Sequence, residues 1–125
     1  MAKTFVQDGK TFNWTNGTGG DIVSGGVVVM GATSDATLGV ALVDIADGES
    51  GAVAICGVFT VPKVTAAVFK QGETLIWDSS VSKFDDNQAT PATGDVSGSV
   101  IASADGAASE TTCTVLLTGK AGALA

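Results

Sequence analysis

This chain of 125 residues has no histidine, no arginine and no tyrosine. Each absence removes a class of function. Without histidine the commonest general base is gone, and neither a Ser-His-Asp nor a Cys-His constellation can be built. All six basic residues are lysines, set against thirteen acids for a net charge of −7. Such a chain repels nucleic acid, whose binders concentrate Lys and Arg to neutralise phosphates. The same balance excludes a basic amphipathic helix lying on a membrane. No run approaches the ~18–20 apolar residues of a membrane-spanning helix. The start, MAKTFVQDGK, lacks the apolar stretch of a secretory signal, so folding in a cytoplasm is expected. In that compartment the glycosylation sequon at Asn16-Gly17-Thr18 is a chance match.

Metal and redox chemistry are equally thin. Cys56 and Cys113 each sit in an apolar, strand-like run and have no second Cys at ligand spacing. They are expected to be two buried thiols, since free Cys is among the most buried residue types and a reducing compartment disfavours a disulfide. Asp44, Asp47 and Glu49 cluster near a turn. With Gly48 as the invariant glycine of a calcium loop, the three ligand positions before it hold Val43, Ile45 and Asp47, so the pattern fails. No catalytic residue, cofactor or metal site is expected.

One stretch imitates a nucleotide-binding loop. Gly9-Lys10-Thr11 reproduces the end of G-x-x-x-x-G-K-[ST], but the first glycine position holds Thr4. Only three residues precede it, too few for the feeding strand, and TFNWTNGTGG is a poor helix start. Asp8-Gly9 is instead a two-residue hairpin signal, because a type I′ turn needs φ > 0 at both central positions. That turn sets Phe5 opposite Phe12 and Lys3 opposite Trp14, with Phe5, Phe12 and Trp14 on one face.

What the chain does have is glycine, 17 residues of it, and an apolar fraction built on Ala and Val. Short apolar runs alternate with Gly- and Asp-containing turns. IVSGGVVVM reads as a strand interrupted at Gly25-Gly26. LGVALVDIA and AVAICGVFTV flank the Asp47-Gly48 turn as the strongest hairpin, the second run ending at Pro62. TLIWD and SKFDD form another hairpin, with Trp77 facing the core. DVSGSVIAS and ETTCTVLLT form the last. GATSDAT and DNQATPATG read as loops. Val64, Ala67 and Val68 allow at most one short helix near 64–71. No internal repeat of 20–50 residues is visible in the sequence. About seven to ten short antiparallel strands predict a small all-β domain, a β-barrel or β-sandwich. The expected divisions are an N-terminal arm or hairpin over 1–16, a β-rich domain over 17–118 and a flexible tail over 119–125, one domain in all. The arm, Ala2 to Val6, reads as an edge strand able to pair with another chain's sheet.

Three blocks carry a family resemblance: MAKTFVQDGKTFNWTN at the start, GVALVDIADGESGAVAICGVFTVPKV in the middle and QGETLIWDSSVSKF after it. They resemble the capsid cement, or head decoration, proteins of tailed bacteriophages and prophages. The likeness runs from about Ala2 to Phe84, and VSGSVIASADGAASETTCTVLL matches more loosely. It implies a non-enzymatic protein of the virion, made in the host cytoplasm and bound to the outer surface of the head. Its implied partner is the major capsid protein, and its implied state is a homotrimer at local three-fold positions that braces the shell. Neither nucleic acid nor membrane is a partner. Lys3, Thr4, Phe5, Val6, Phe12 and Trp14 are the candidate capsid or subunit contacts. The alternative class is a small-molecule or glycan-binding β module of a phage tail or fibre, which exposed Trp14 and Trp77 would support and buried ones would not.

Overall fold

The computed structural model describes residues 9–31 and 33–125. Among these residues there is no helix. The all-β architecture takes the form of a curled antiparallel sheet, a half-barrel. Its strands are β1 (Thr11–Thr15), β2 (Val27–Met30), β3 (Asp35–Ala41), β4 (Ser50–Ala54), β5 (Cys56–Pro62), β6 (Thr74–Asp78), β7 (Lys83–Asp86), β8 (Val96–Ala102), β9 (Thr112–Thr118) and β10 (Gly122–Leu124). The main path runs β1-β4-β3-β10-β8-β6-β7, with β2 on β3, β9 on β8 and β5 on β9. The main core gathers Leu38, Val40, Phe69, Leu75, Trp77, Phe84, Val100 and Val115. A satellite core of Val28, Ala41, Ile45 and Val53, flanked by Trp14, Ile22 and Met30, lies on the other face of β3 and β4.

The backbone repeats itself, although the sequence does not. β1, β2, β3 and β4 correspond in order to β5, β6, β8 and β9. Across the first set one row of paired residues reads Thr11–Ala54–Val40–Val27. Across the second it reads Val58–Leu116–Ile101–Thr74. The turns match bond for bond. Ala41 accepts from Gly25 N–H and donates to Gly26 O; Ala102 accepts from Gly72 N–H and donates to Glu73 O. Asp44 caps the Ser24 amide as Asp105 caps that of Gln71, both at 2.8 Å. The isolated bridge Ile22↔Ile45 recurs as Phe69↔Gly106. Gly25 and Gly72 hold φ near +90° at the same point of each turn, a conformation L side chains resist. The second copy differs by the insertion of β7 between its β2- and β3-like strands.

The structure sharpens or corrects several expectations. No helix forms near 64–71, in keeping with the limit of at most one short helix there. Lys63 is fully buried, and its Nζ takes the Val64 and Thr65 carbonyls at 2.9 and 3.4 Å. Those are the acceptors a helix needs four residues on, and the Phe69 amide goes to Gly106 instead. The run LGVALVDIA does not form one strand. β3 starts earlier, at Asp35, inside what reads as a loop, and ends at Ala41. The run AVAICGVFTV is split at Ile55, so β4 serves β3 while β5 serves β9. Residues 122–124, expected in a loose tail, form β10 between β3 and β8. A Cβ at Gly122 would lie 2.8 Å from the Ser99 nitrogen, so only glycine admits this close approach. Cys56 is exposed rather than buried, because its register opposite Thr118 points it outward; Cys113 is buried, and both thiols are free. The expected pairings of Lys3 and Phe5 lie outside the described residues. Gly9, at φ +77°, has the backbone such a turn requires.

Candidate functional site

Of the six candidate contacts, Lys3, Thr4, Phe5 and Val6 lie outside the described residues. The structure places the other two together on β1, the last strand on its side of the sheet among the described residues. Alternation puts Phe12 and Trp14 on one face, opposite Val53 and Gly51. Phe12 is 44% exposed, an unusual position for a large aromatic. Trp14 is half-buried against the satellite core. Gly51 leaves room beside it. A Cβ there would lie 2.7 Å from Ile45 Cγ1 and 3.0 Å from Val43 Cγ2. Exposed Val43 therefore sits over Gly51, next to Trp14, and Leu42 is exposed beside it. Sequence reasoning missed Leu42 and Val43 because it ran them into one strand. The signal that β3 stops at Ala41 is Asp44, whose carboxylate caps Ser24 and turns the chain outward.

The strip formed by Phe12, Trp14 and Val43 is apolar. Its base is rigid, because Asn16, which follows β1, is completely buried with every side-chain atom used. Its Nδ2 donates to the carbonyls of Gly20 and Ile45 at 2.7 and 2.9 Å. Its Oδ1 accepts from the Thr18 amide and hydroxyl at 3.0 and 2.7 Å. An amide so enclosed cannot carry a glycan, which removes the sequon on physical grounds.

Among the described residues no three His, Cys, Asp or Glu side chains come close enough to hold a metal. Thr11 begins a strand and not a helix, so Gly9-Lys10-Thr11 has no phosphate-binding context. Burial pushes the Cys113 thiol up to about 11, against the weaker pull of Lys63, which makes it a poor nucleophile. A hydrogen bond from the Gln71 amide, aided by Lys70, holds the exposed Asp105 carboxyl below its ordinary value. Its 3.6 Å contact with Lys70 joins two exposed side chains, a geometry that adds little stability. An open cleft of about 300 Å³ lies among Ile22, Val23, Val27, Pro62 and Trp77, with Asp21 at its rim. Trp77 is 6% exposed and meets the Phe84 ring edge-on at 4.9 Å. It is a core residue, not the open stacking platform that sugar binding uses. No described helix is long and apolar enough to cross a membrane.

These features define a small, acidic, all-β domain whose candidate site is an apolar contact surface. A family model of phage cement proteins matches residues 6–117. The chain belongs to the phage cement protein family, a family of structural proteins associated with the phage capsid. No curated protein and no solved structure matches it.

Proposed function

We propose that this protein is a non-enzymatic head decoration protein that binds the outer surface of the capsid shell and braces it against internal DNA pressure. Its partner is the major capsid protein, and it acts as a homotrimer at local three-fold positions. The observation that carries this reading is the family match over residues 6–117. The strip of Phe12, Trp14 and Val43 supports it, because an exposed aromatic beside a rigid sheet edge is a typical anchor. Lys3, Thr4, Phe5 and Val6, which precede that strip in the sequence, are part of the same proposed contact. Each copy buries a modest area, and many copies on one shell, three to a trimer, make the binding strong.

The test is the number of copies per particle. Quantitative mass spectrometry of purified phage should give a ratio to the major shell protein near unity. A few copies per particle would point to a tail or vertex component, and none would return the chain to the binding-module class. Deleting residues 2–7 should abolish binding to expanded shells while leaving the domain folded. Retained binding would remove Lys3, Thr4, Phe5 and Val6 from the contact.

A further inference from the structure

The second copy of the repeat carries a strand that the first copy lacks. In the second, β6 pairs with β8 through one edge and with β7 through the other. In the first, β2 pairs with β3, and no other strand among the described residues joins it. Its outward edge follows from its bonds to β3. Gly26 O accepts from the Ala41 amide, so bonded pairs recur at Val28↔Gly39 and Met30↔Thr37. The amides and carbonyls of Val27 and Val29 therefore point away from β3, and they meet no partner among the described residues. Val27 corresponds to Thr74, so Val29 stands where Ile76 stands in the second copy. Ile76 is paired there with Asp85 of β7.

The two edges also differ in chemistry. β7 closes the second half with Lys83, Asp85 and Asp86, and charge on an edge strand discourages further pairing. β2 reads VVVM, with neither charge nor proline, so within the strand shortness is its only protection. Beside its first residue lies the open cleft of about 300 Å³, between Ile22, Val23 and Val27 of the first copy and Pro62 and Trp77 of the second. That volume is at the bottom of the roughly 300–1,000 Å³ range of small-molecule pockets. It suits one or two side chains of a segment lying across it. Charge at its mouth is of one sign. Asp21 stands at the rim and its Oδ1 accepts the Asp47 amide, while Asp44 caps Ser24 close by. No lysine among the described residues lines the cleft.

We propose that β2 is a docking edge for an extended segment of the major capsid protein, which adds to it as an antiparallel strand in the place β7 takes on β6. This rests on the decoration reading above and gives it a second contact. The edge states what the segment must carry. Its backbone pairs with Val27 and Val29, an apolar side chain enters the cleft against Pro62 and Trp77, and a Lys or Arg lies beside Asp21. Charge argues for a partner other than this chain, whose six lysines stand against thirteen acids. The edge is separate from the strip of Phe12 and Trp14. β1 and β2 are opposite edges of the first half, three strand spacings or about 14 Å apart.

The experiment is amide hydrogen exchange, resolved by residue, on the free chain by NMR and on the chain bound to expanded shells of the major capsid protein by mass spectrometry. In the free chain Val27 and Val29 should exchange fast, and Val28 and Met30 slowly. On shells, Val27 and Val29 should slow by about tenfold or more. Two variants test binding by co-sedimentation with shells. Val23→Glu changes a side chain that is 68% exposed, so it should melt as wild type does, and it sets a carboxylate at the cleft. Val27→Pro deletes an outward amide and no bond to β3. Each should weaken shell binding about tenfold. If wild type binds shells while Val27 and Val29 exchange as in the free chain, the proposal is overturned and the decoration reading stands. The same holds if Val23→Glu binds as wild type does. If wild type does not bind shells, both fail. If the two amides are already slow in the free chain and deleting residues 2–7 frees them, the chain's own arm fills the edge and the proposal fails. If they slow only as the free chain is concentrated, a second copy fills it, which also overturns the proposal.

Discussion

Gly106 and Phe69 offer a sharp test of the packing. They form the bridge of the second copy of the repeat, where the first has Ile22 and Ile45. Gly106 is buried, and a methyl group on it would collide with the Phe69 ring. Its φ is not positive, so alanine fits the backbone. Gly106→Ala thus opposes two effects. Restricting the unfolded chain stabilises by about 0.4–1 kcal/mol. Forcing a methyl into the ring costs about 1–3 kcal/mol, more where the neighbour cannot move. Phe69 is 2% exposed and its amide and carbonyl are fixed to Gly106, so the ring has nowhere to go. The steric term wins, and a net loss of about 2 kcal/mol is expected, a drop in Tm of roughly 5–10 °C at this chain length. Phe69→Leu alone should cost about 1–2 kcal/mol, between the values for Ile→Val and Phe→Ala. Together the two changes nearly conserve volume, and the double variant should cost less than about 1.5 kcal/mol. The expected coupling is therefore about 2 kcal/mol in favour of the pair. Urea melts of the four proteins measure it. Strict additivity, or a neutral Gly106→Ala, would refute the packing. Gly17→Ala is the control, since a Cβ there meets nothing within 4 Å, and it should leave stability unchanged or slightly raised.

Four further outcomes are expected. Phe12→Ala should leave the fold intact and weaken shell binding. Covering the exposed part of one ring is worth about 1 kcal/mol, so a trimer loses about 3 kcal/mol, roughly 150-fold in affinity by pull-down on expanded capsids. Asn16→Asp replaces two donors aimed at the Gly20 and Ile45 carbonyls with acceptors; it should cost about 3 kcal/mol in a urea melt. The Cys113 thiol is raised from 9.0 to about 11 by burial. Below pH 9 both states hold the proton, whereas between 9 and 11 only the unfolded chain releases it. Stability should therefore fall as pH rises through that window, and Cys113→Ala should flatten the fall relative to wild type. Removing residues 122–125 should prevent folding to a single state, visible as collapsed dispersion in an amide NMR spectrum.

Turn chemistry was the most readable part of the chain. Asp47-Gly48 and the 78–81 turn announce where strands stop, and the β6–β7 and β8–β9 pairings follow from apolar runs on either side, whereas of the run IVSGGVVVM, read as one strand interrupted at Gly25-Gly26, only Val27–Met30 is strand. Trp77 in the core was legible from its alternation with Leu75. The repeat was hidden because the two copies keep geometry and change side chains. Val40 and Ala54 become Ile101 and Leu116, while the Ile22/Ile45 pair becomes Phe69/Gly106, and β7 disrupts the spacing. Two signatures survive: a turn glycine, at Gly25 and Gly72, and an Ala followed three residues later by the capping aspartate, at Ala41/Asp44 and Ala102/Asp105. β10 was illegible for a different reason. GKAGALA has no strand propensity, and its pairing is imposed by two neighbours already in place. In the candidate site, Phe12 and Trp14 were identifiable from alternation, whereas Val43 required knowing where β3 ends.

The placement of β10 also explains how two copies of a repeat make one half-barrel. β3 and β8 each have one edge filled by their own copy, through β2 and β6. The other edge is only half filled, by β4 and by β9 at the C-terminal ends of β3 and β8. The N-terminal halves of both edges need a partner, and β10 supplies it to both at once. Ser99 reinforces the seam from within: fully buried, it accepts the Leu38 amide at 3.0 Å and donates to the Lys120 carbonyl at 2.9 Å, joining β3, β8 and the approach to β10 through one hydroxyl. The last residue is tied as well, since Ala125 exchanges backbone bonds of 2.9 Å with Gly94 and Asp95. Chain ends are ordinarily where a fold begins to open. Here residues 122–124 can leave only if both halves lose an edge together, so their release is coupled to separation of the halves. The proposed bracing role would draw on that coupling, because load applied to either half is carried across the seam instead of peeling one strand.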